Sequence, residues 1–282
     1  MKTWATRRVR TRGLQDFARI RLLCRRGALT GRIFKRVLTL TTFIGLLTLG
    51  AACAAENEAP PGFVSLFNGK DFAGWTVPAG DNGHWKIVNG VIDYDARSEA
   101  KDDKSLWFER EFADFVLHVD WRIKETPYIN PGVPYILPDG THAKDTKGKE
   151  MKLALPDSDS GVYLRGDSKY QINIWCWPIG SGEMYGVRMD QKASPEVRAA
   201  VTPRTQADKP VGEWNHFEIT VRGNTVSVVL NGKTVLPGAS IPGLPARGRI
   251  ALQHHGAERD GKWTSPPSLL QFKNIFIKEL GR

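Results

Sequence analysis

Residues 214–236 read WNHFEITVRGNTVSVVLNGKTVL. Apolar and polar residues alternate from Trp214 to Arg222, again from Thr225 to Leu230, and again from Lys233 to Leu236. Gly223-Asn224 and Asn231-Gly232 separate the three runs. A period of two places alternate side chains on opposite faces of a strand. Asn-Gly between such runs predicts a hairpin, because both central residues of a type I′ turn need a positive φ. The stretch therefore reads as a three-stranded antiparallel meander with one apolar face.

The same grammar extends outward. Trp85–Val88 meets Val91–Tyr94 across Asn89-Gly90, and Phe63–Phe67 runs into Asn68-Gly69. Further strands are expected at 115–124, 161–165, 170–175, 249–255 and 270–278. Helical periodicity is confined to 193–200. Roughly a dozen short strands with turns every 8–12 residues indicate an all-β chain folded as a β-sandwich or jelly roll. Two irregular segments interrupt the pattern: 125–156, which holds five Pro, and 178–212. Long loops in a compact domain usually serve binding, and these are expected to rim one sheet face.

The charge is unevenly distributed. The 282 residues carry 40 Lys+Arg against 30 Asp+Glu, a net of +10. Twelve of the cations and one acid, Asp16, fall in residues 1–36. Residues 37–55 carry no charge, so 56–282 hold 28 basic and 29 acidic groups. The basicity belongs to the leader, and the nearly neutral body argues against a nucleic-acid partner. Val37–Ala52 (VLTLTTFIGLLTLGAA) is a 16-residue apolar run ending in small residues, suited to the core of a signal peptide. The expected organisation is a leader over 1–55, a short linker over 56–61, and one β domain over 62–282. The product would be exported to the periplasm or beyond, with cleavage near Cys53 favoured over lipidation of that residue. A membrane contact is then expected only through the leader or a lipid on Cys53. Cys24 and Cys53 go with the leader, leaving Cys176 as a packed thiol.

Alternation sorts the strand residues into two sets. His118 and Asp120 fall opposite the apolar side of 115–124. Tyr163 and Arg165 fall opposite Val162 and Leu164. Gln171, Asn173 and Trp175 fall opposite Ile172 and Ile174, and Gln253 and His255 opposite Ile250 and Leu252. If these strands are neighbours in one curved sheet, their polar faces form a patch of amides, a guanidinium, a carboxylate and an indole. Such a patch suits sugar hydroxyls and the C–H face of a sugar ring. An ordinary solvated sheet face is the plain alternative. The pair His254-His255 lacks a third ligand at set spacing. Asp157-Ser-Asp159-Ser-Gly161 lacks the downstream Glu of a calcium loop and reads as a turn feeding a strand.

Several motifs in order also resemble a known family. Residues 62–75 (GFVSLFNGKDFAGW) match the opening of the 3-keto-disaccharide hydrolase domain family, also called DUF1080. Residues 159–165 (DSGVYLR, where the family usually has Asn-Ser-Gly), 212–215 (GEWN), 231–233 (NGK), 250–256 (IALQHHG) and 272–275 (FKNI) continue the match. The resemblance implies a concanavalin A-like jelly-roll sandwich, export from a bacterium, and action on glycosides oxidised at C3. The family often has Glu two residues before the Gln of the Gln-Ile strand; here Lys169 stands there, a cation in place of a carboxylate.

A ketone at C3 acidifies the C2 proton, so a base can take it, the C1 substituent can leave, and water can add back. This requires a base near neutral pH and a donor at the enolate oxygen. His255 is the expected base and Arg165 the expected enolate partner. Asp120 is expected to orient the His, to act as base, or to hold a divalent metal cation with His118 or His255. Gln171, Asn173, Gln253, Tyr163 and His118 would bind hydroxyls, and Trp175 would stack on the ring. The competing class is a non-catalytic carbohydrate-binding module. A retaining endoglucanase would need two carboxylates about 5–5.5 Å apart, and no strand carries the Glu-x-Asp-x-x-Glu spacing that would supply them.

Overall fold

The alternation at 115–123 is realised without a break: Phe115, Leu117, Val119, Trp121 and Ile123 are buried, and the residues between them are partly exposed. The computed structural model describes residues 57–281, so the expected leader with Cys24 and Cys53 lies outside the described residues. Along the chain come β1 (Val64–Ser65), β2 (Trp75–Thr76), β3 (Trp85–Val88), β4 (Val91–Tyr94), β5 (Leu106–Phe112) and β6 (Phe115–Ile123). They are followed by β7 (Tyr128–Pro134), β8 (Lys152–Asp157), β9 (Ser160–Leu164), β10 (Asp167–Ile174), α1 (Tyr185–Arg188) and α2 (Pro195–Ala200). The chain closes with β11 (Asn215–Arg222), β12 (Thr225–Leu230), β13 (Lys233–Ser240), β14 (Gly248–Leu252), β15 (Glu258–Arg259), β16 (Lys262–Trp263) and β17 (Leu270–Glu279).

These strands make a two-sheet β-sandwich. One sheet has eight strands in the order β13-β12-β11-β6-β17-β4-β3, with β1 added beside β17. The other has five, in the order β10-β9-β14-β5-β2. Their inner faces share one core. Leu117, Phe217, Val228 and Phe272 come from the larger sheet, and Leu106, Val162, Ile172 and Leu252 from the smaller. Alternate apolar residues on both sheets bury one face each, which is what lets two sheets stack.

The turn chemistry follows the sequence. Asn89 and Gly90 have φ of 53° and 78°, and Asn231 and Gly232 have φ of 51° and 77°, as type I′ turns require. The Pro-rich stretch, irregular by its sequence pattern, holds two strands. Tyr128 pairs with Asp157 and Pro134 with Lys152, closing β7 and β8 into a separate ribbon. Pro is admissible there because a two-stranded ribbon leaves one edge of each strand unpaired. The helical signal at 193–200 becomes α2, capped by the Ser194 hydroxyl accepting the Val197 N–H at 3.3 Å.

Candidate active site

The register of the five-stranded sheet builds the floor of a cavity of about 320 Å³ on its outer face. β10 pairs with β9 so that Asn173 lies opposite Gly161 and Gln171 opposite Tyr163. β14 flanks β9 on the other side, and the Gln253 N–H donates to the Gly161 carbonyl at 2.9 Å. Gly161 is required at the centre. A Cβ there would lie 2.6 Å from Gln171 Oε1 and 2.9 Å from the Ile172 carbonyl, so the glycine lets the two glutamine amides converge. The carbonyl oxygens of Gln171 and Gln253 are buried and receive no donor from the protein. Buried acceptors are normally paired, and a ligand's hydroxyl groups would supply the missing donors.

Two titratable groups face this floor. The His255 N–H donates to the Ser268 hydroxyl at 2.6 Å, and Nδ1 lies 2.6 Å from the Pro266 carbonyl. A carbonyl only accepts, so Nδ1 carries a proton, and in the neutral tautomer Nε2 is the nitrogen with the lone pair. Asp159 lies on the same wall, with Oδ1 buried and unpaired. Burial pushes its carboxyl up to about 7; the His255 charge opposes the shift and Asp157 adds to it. Ser268 ties the two together, since its hydroxyl donates to the Asp159 carbonyl at 2.7 Å.

The remaining wall is aromatic. Trp175 and Trp177 stack with centroids 3.9 Å apart and planes at 7°, and Tyr185 meets Trp175 edge-on at 6.0 Å. Trp175 Nε1 donates to the Gly180 carbonyl at 2.7 Å, and Trp177 Nε1 to Asp157 Oδ2 at 2.9 Å. Asp157 also accepts from Asn130 Nδ2 at 2.8 Å, which brings the β7–β8 ribbon to the rim. The Tyr185 N–H donates to Asn173 Oδ1 at 3.3 Å, leaving the Asn173 NH2 as the end free to donate into the cavity.

Of the residues expected from the sequence, His255, Gln171, Asn173, Gln253 and Trp175 line this one cavity. Tyr163 shares the sheet face but lies further along it, packed on Trp107 at 5.6 Å and lining a separate shallow depression. Three others are elsewhere. Arg165 does not follow the strand parity, because β9 ends at Leu164 and Arg165 adopts a left-handed φ of 52°. Its guanidinium is buried, donating to the carbonyls of Ala113, Gly223 and Pro245 and to Asp114 Oδ1 at 2.9 Å. It fastens loops and has no donor left for an enolate.

Asp120 and His118 belong to β6, which is in the other sheet. Asp120 accepts from His216 Nδ1 at 2.6 Å and from Asn274 Nδ2 at 2.7 Å, and His118 Nε2 lies 3.7 Å from Glu218. Of the two metal pairings expected, Asp120 with His255 is therefore not assembled; Asp120 and His118 do share β6, but among the described residues no group of three or more His, Cys, Asp or Glu is gathered as a metal site. Lys169 pairs with Asp190 at 2.7 Å beside α1, away from the cavity. The thiol of Cys176 is pushed up to about 12 by burial, which leaves it inert.

Asp159, Asn130, Trp177 and Tyr185 were missed from the sequence. Asp159 carried a signal: it stands two residues before Gly161, on the parity that faces the cavity, inside the very motif that resembles the family. Asn130 and Tyr185 come from the irregular segments and Trp177 from just past the expected strand at 170–175, where alternation says nothing.

With this geometry in hand, known proteins add a second line. Residues 62–278 match the model of the 3-keto-alpha-glucoside-1,2-lyase-like domain. The chain belongs to this family. The family match covers the whole described sandwich apart from its ends. A relative named 3-keto-disaccharide hydrolase, from Bacteroides thetaiotaomicron, is 26% identical over 185 residues. That alignment takes in 62% of this chain and 58% of the relative, so the chain spans little more than half the length of that curated protein. A crystal structure of a candidate glycosyl hydrolase from Parabacteroides distasonis superimposes with a TM-score of 0.51 at 18% identity, covering 80% of this chain and 100% of that one. A second such protein from the same organism gives 0.49 at 22% identity, covering 79% and 85%. The first superposition shows the sandwich fold. The family's motif at 159–165 supplies the cavity with Asp159 and Gly161, while its Arg165 is a structural residue here.

Proposed function

We propose that this chain is an exported hydrolase acting on glycosides oxidised at C3, through elimination and rehydration. The observation that carries this reading is the pairing of His255 and Asp159 in one cavity with unpaired amide oxygens and an indole wall. Elimination needs a base for C2–H and an acid for the departing C1 oxygen, and both must work near neutral pH. In the neutral tautomer that the Pro266 carbonyl selects, His255 Nε2 is the basic nitrogen. Asp159, raised to about 7, holds a proton that an ordinary carboxyl would have lost.

His255 takes the C2 proton, and the developing enolate oxygen at C3 is met by the Asn173 amide. The C1–O bond breaks, and Asp159 protonates the leaving oxygen. Water then adds at C1, giving its proton to the Asp159 carboxylate, while His255 returns its proton to C2. The sum is hydrolysis, and both groups end as they began. Gln171 and Gln253 accept from ring hydroxyls, and Trp177 and Trp175 cover the ring's apolar face.

The test is aglycone release from 3-keto-glucosides against the unoxidised glycosides. Turnover of the keto substrates alone, lost in His255→Ala, is the expected result. Binding without turnover of either would make the chain a carbohydrate-binding module instead. The export element of the reading is supported by the twelve leader cations followed by the apolar run at 37–52, and N-terminal sequencing of the protein outside the cytosol tests it.

A further inference from the structure

A second cavity, of about 180 Å³, adjoins the first, and Trp175 and Trp177 line both. It is a little over half the volume of the first cavity, the scale of one ring and not of a chain. Its far wall comes from the other sheet and the segment after α2, chiefly Trp121, Asp208, Val211 and Asn215. The stacked Trp pair is thus a partition between two compartments, and both indoles are held by the hydrogen bonds described above.

The second compartment has a polar vacancy of its own. Trp121 is 1% exposed, and its indole N–H finds no acceptor in the protein. Buried N–H groups are nearly always paired. Asp208 stands on the same wall, half-buried, its carboxyl raised above the usual range by desolvation. It accepts the Ser181 N–H at 3.0 Å and retains lone pairs for further donors. An orphan donor, an acceptor and indole surface in a ring-sized space are what a sugar ring uses: an oxygen to accept, hydroxyls to donate, and a C–H face to cover.

We propose that this second cavity is the subsite for the leaving sugar of a disaccharide, whose oxidised ring occupies the His255–Asp159 cavity. The assignment rests on the reading of the first cavity given above. The glycosidic bond then crosses the lip of the Trp175–Trp177 partition, and a ring oxygen of the leaving sugar accepts the Trp121 N–H. A substrate with a small aglycone leaves the second cavity unused.

Two variants test this. Trp121→Phe removes the N–H and keeps most of the volume. Val211→Trp fills the cavity from a residue that is 48% exposed, so the fold does not depend on it. KM is measured for a 3-keto-disaccharide and for methyl 3-keto-glucoside. Both variants should raise the disaccharide KM about tenfold, the worth of one hydrogen bond to a ligand, with the methyl glycoside unchanged. Equal effects on both substrates, or on neither, overturn the proposal, and the second outcome would mean that a water serves Trp121. Glucose binding, followed by calorimetry, separates failure of the subsite from failure of the catalytic reading. Binding that survives His255→Ala but is lost in Val211→Trp supports the subsite whether or not turnover occurs. No binding to the parent chain, or binding indifferent to Val211→Trp, refutes it.

Discussion

Replacing Asp159 by Asn should make the protein more stable at neutral pH and leave it unchanged in acid. A carboxyl with a pKa of 3.8 when solvated, pushed up to about 7 in the fold, binds more protons in the native state than in the unfolded one. Stability therefore falls as pH rises from about 4 to about 7, and is flat beyond. Each pKa unit corresponds to about 1.4 kcal/mol, so the full interval amounts to about 4 kcal/mol. That figure is an upper bound, because Asp159 keeps partial contact with solvent through atoms other than Oδ1 and screening reduces the penalty. The Asn amide carries no such penalty at any pH. Urea unfolding of both proteins at half-unit steps from pH 3.5 to 8.5 reads the difference directly. The curves should coincide near pH 3.5 and diverge to a plateau above pH 7, worth roughly 10 °C in Tm. Parallel curves across the range would mean that Asp159 ionises normally, and the proton assigned to it for the leaving group would have no holder.

Three other substitutions separate floor, chemistry and scaffold. His255→Ala should lower kcat on a 3-keto-glucoside by about 10²–10⁴, the usual worth of a positioned base, with thermal melting showing the fold intact. Gly161→Ala should drive the new Cβ against Gln171 Oε1 and the Ile172 carbonyl, costing about 1–3 kcal/mol in stability and raising KM by about tenfold or more; both are read on one preparation by melting and steady-state kinetics. Arg165→Met should strip donors from the Ala113, Gly223 and Pro245 carbonyls and lower stability by about 3 kcal/mol, while kcat per folded molecule stays unchanged. A specific loss of kcat there would restore Arg165 to the chemistry.

Most of the sandwich was written in local rules. The Asn-Gly turns and the unbroken alternation from Phe115 to Ile123 depend only on neighbours along the chain, and both are realised as read. Alternation separates inward from outward but does not say which of two sheets a strand joins. That is why His118 and Asp120 were expected beside Gln171 and in fact lie on the opposite surface of the molecule. Arg165 shows a second limit, since parity holds only while the chain stays extended, and a left-handed φ at a single residue sends the guanidinium under the sheet edge. The floor of the cavity was legible because Gln171 and Asn173 sit on β10 and Gln253 directly follows the last residue of β14. The rim was not, because Asn130, Trp177 and Tyr185 lie in segments whose placement is decided by long-range bonds to Asp157 and Asn173.

Asp157 gives this division a consequence for how such a protein diversifies. One carboxylate secures both Trp177 and Asn130, on two segments otherwise independent of the sheet register. Residues 135–151, between β7 and β8, contribute nothing to the floor. Insertions and deletions at the 145–149 tip, beyond the contacts of Gly140 and His142 to Arg188, would leave the proposed acid and base of the cavity undisturbed. On the proposed reading the reacting centre goes with the sheets, and the range of ligands admitted is shaped by a ribbon held through Asp157 and through Gly140 and His142, which meet Arg188. Grafting the 128–157 ribbon from one relative onto another is thus a natural route to exchanging substrate range while the underlying reaction is kept.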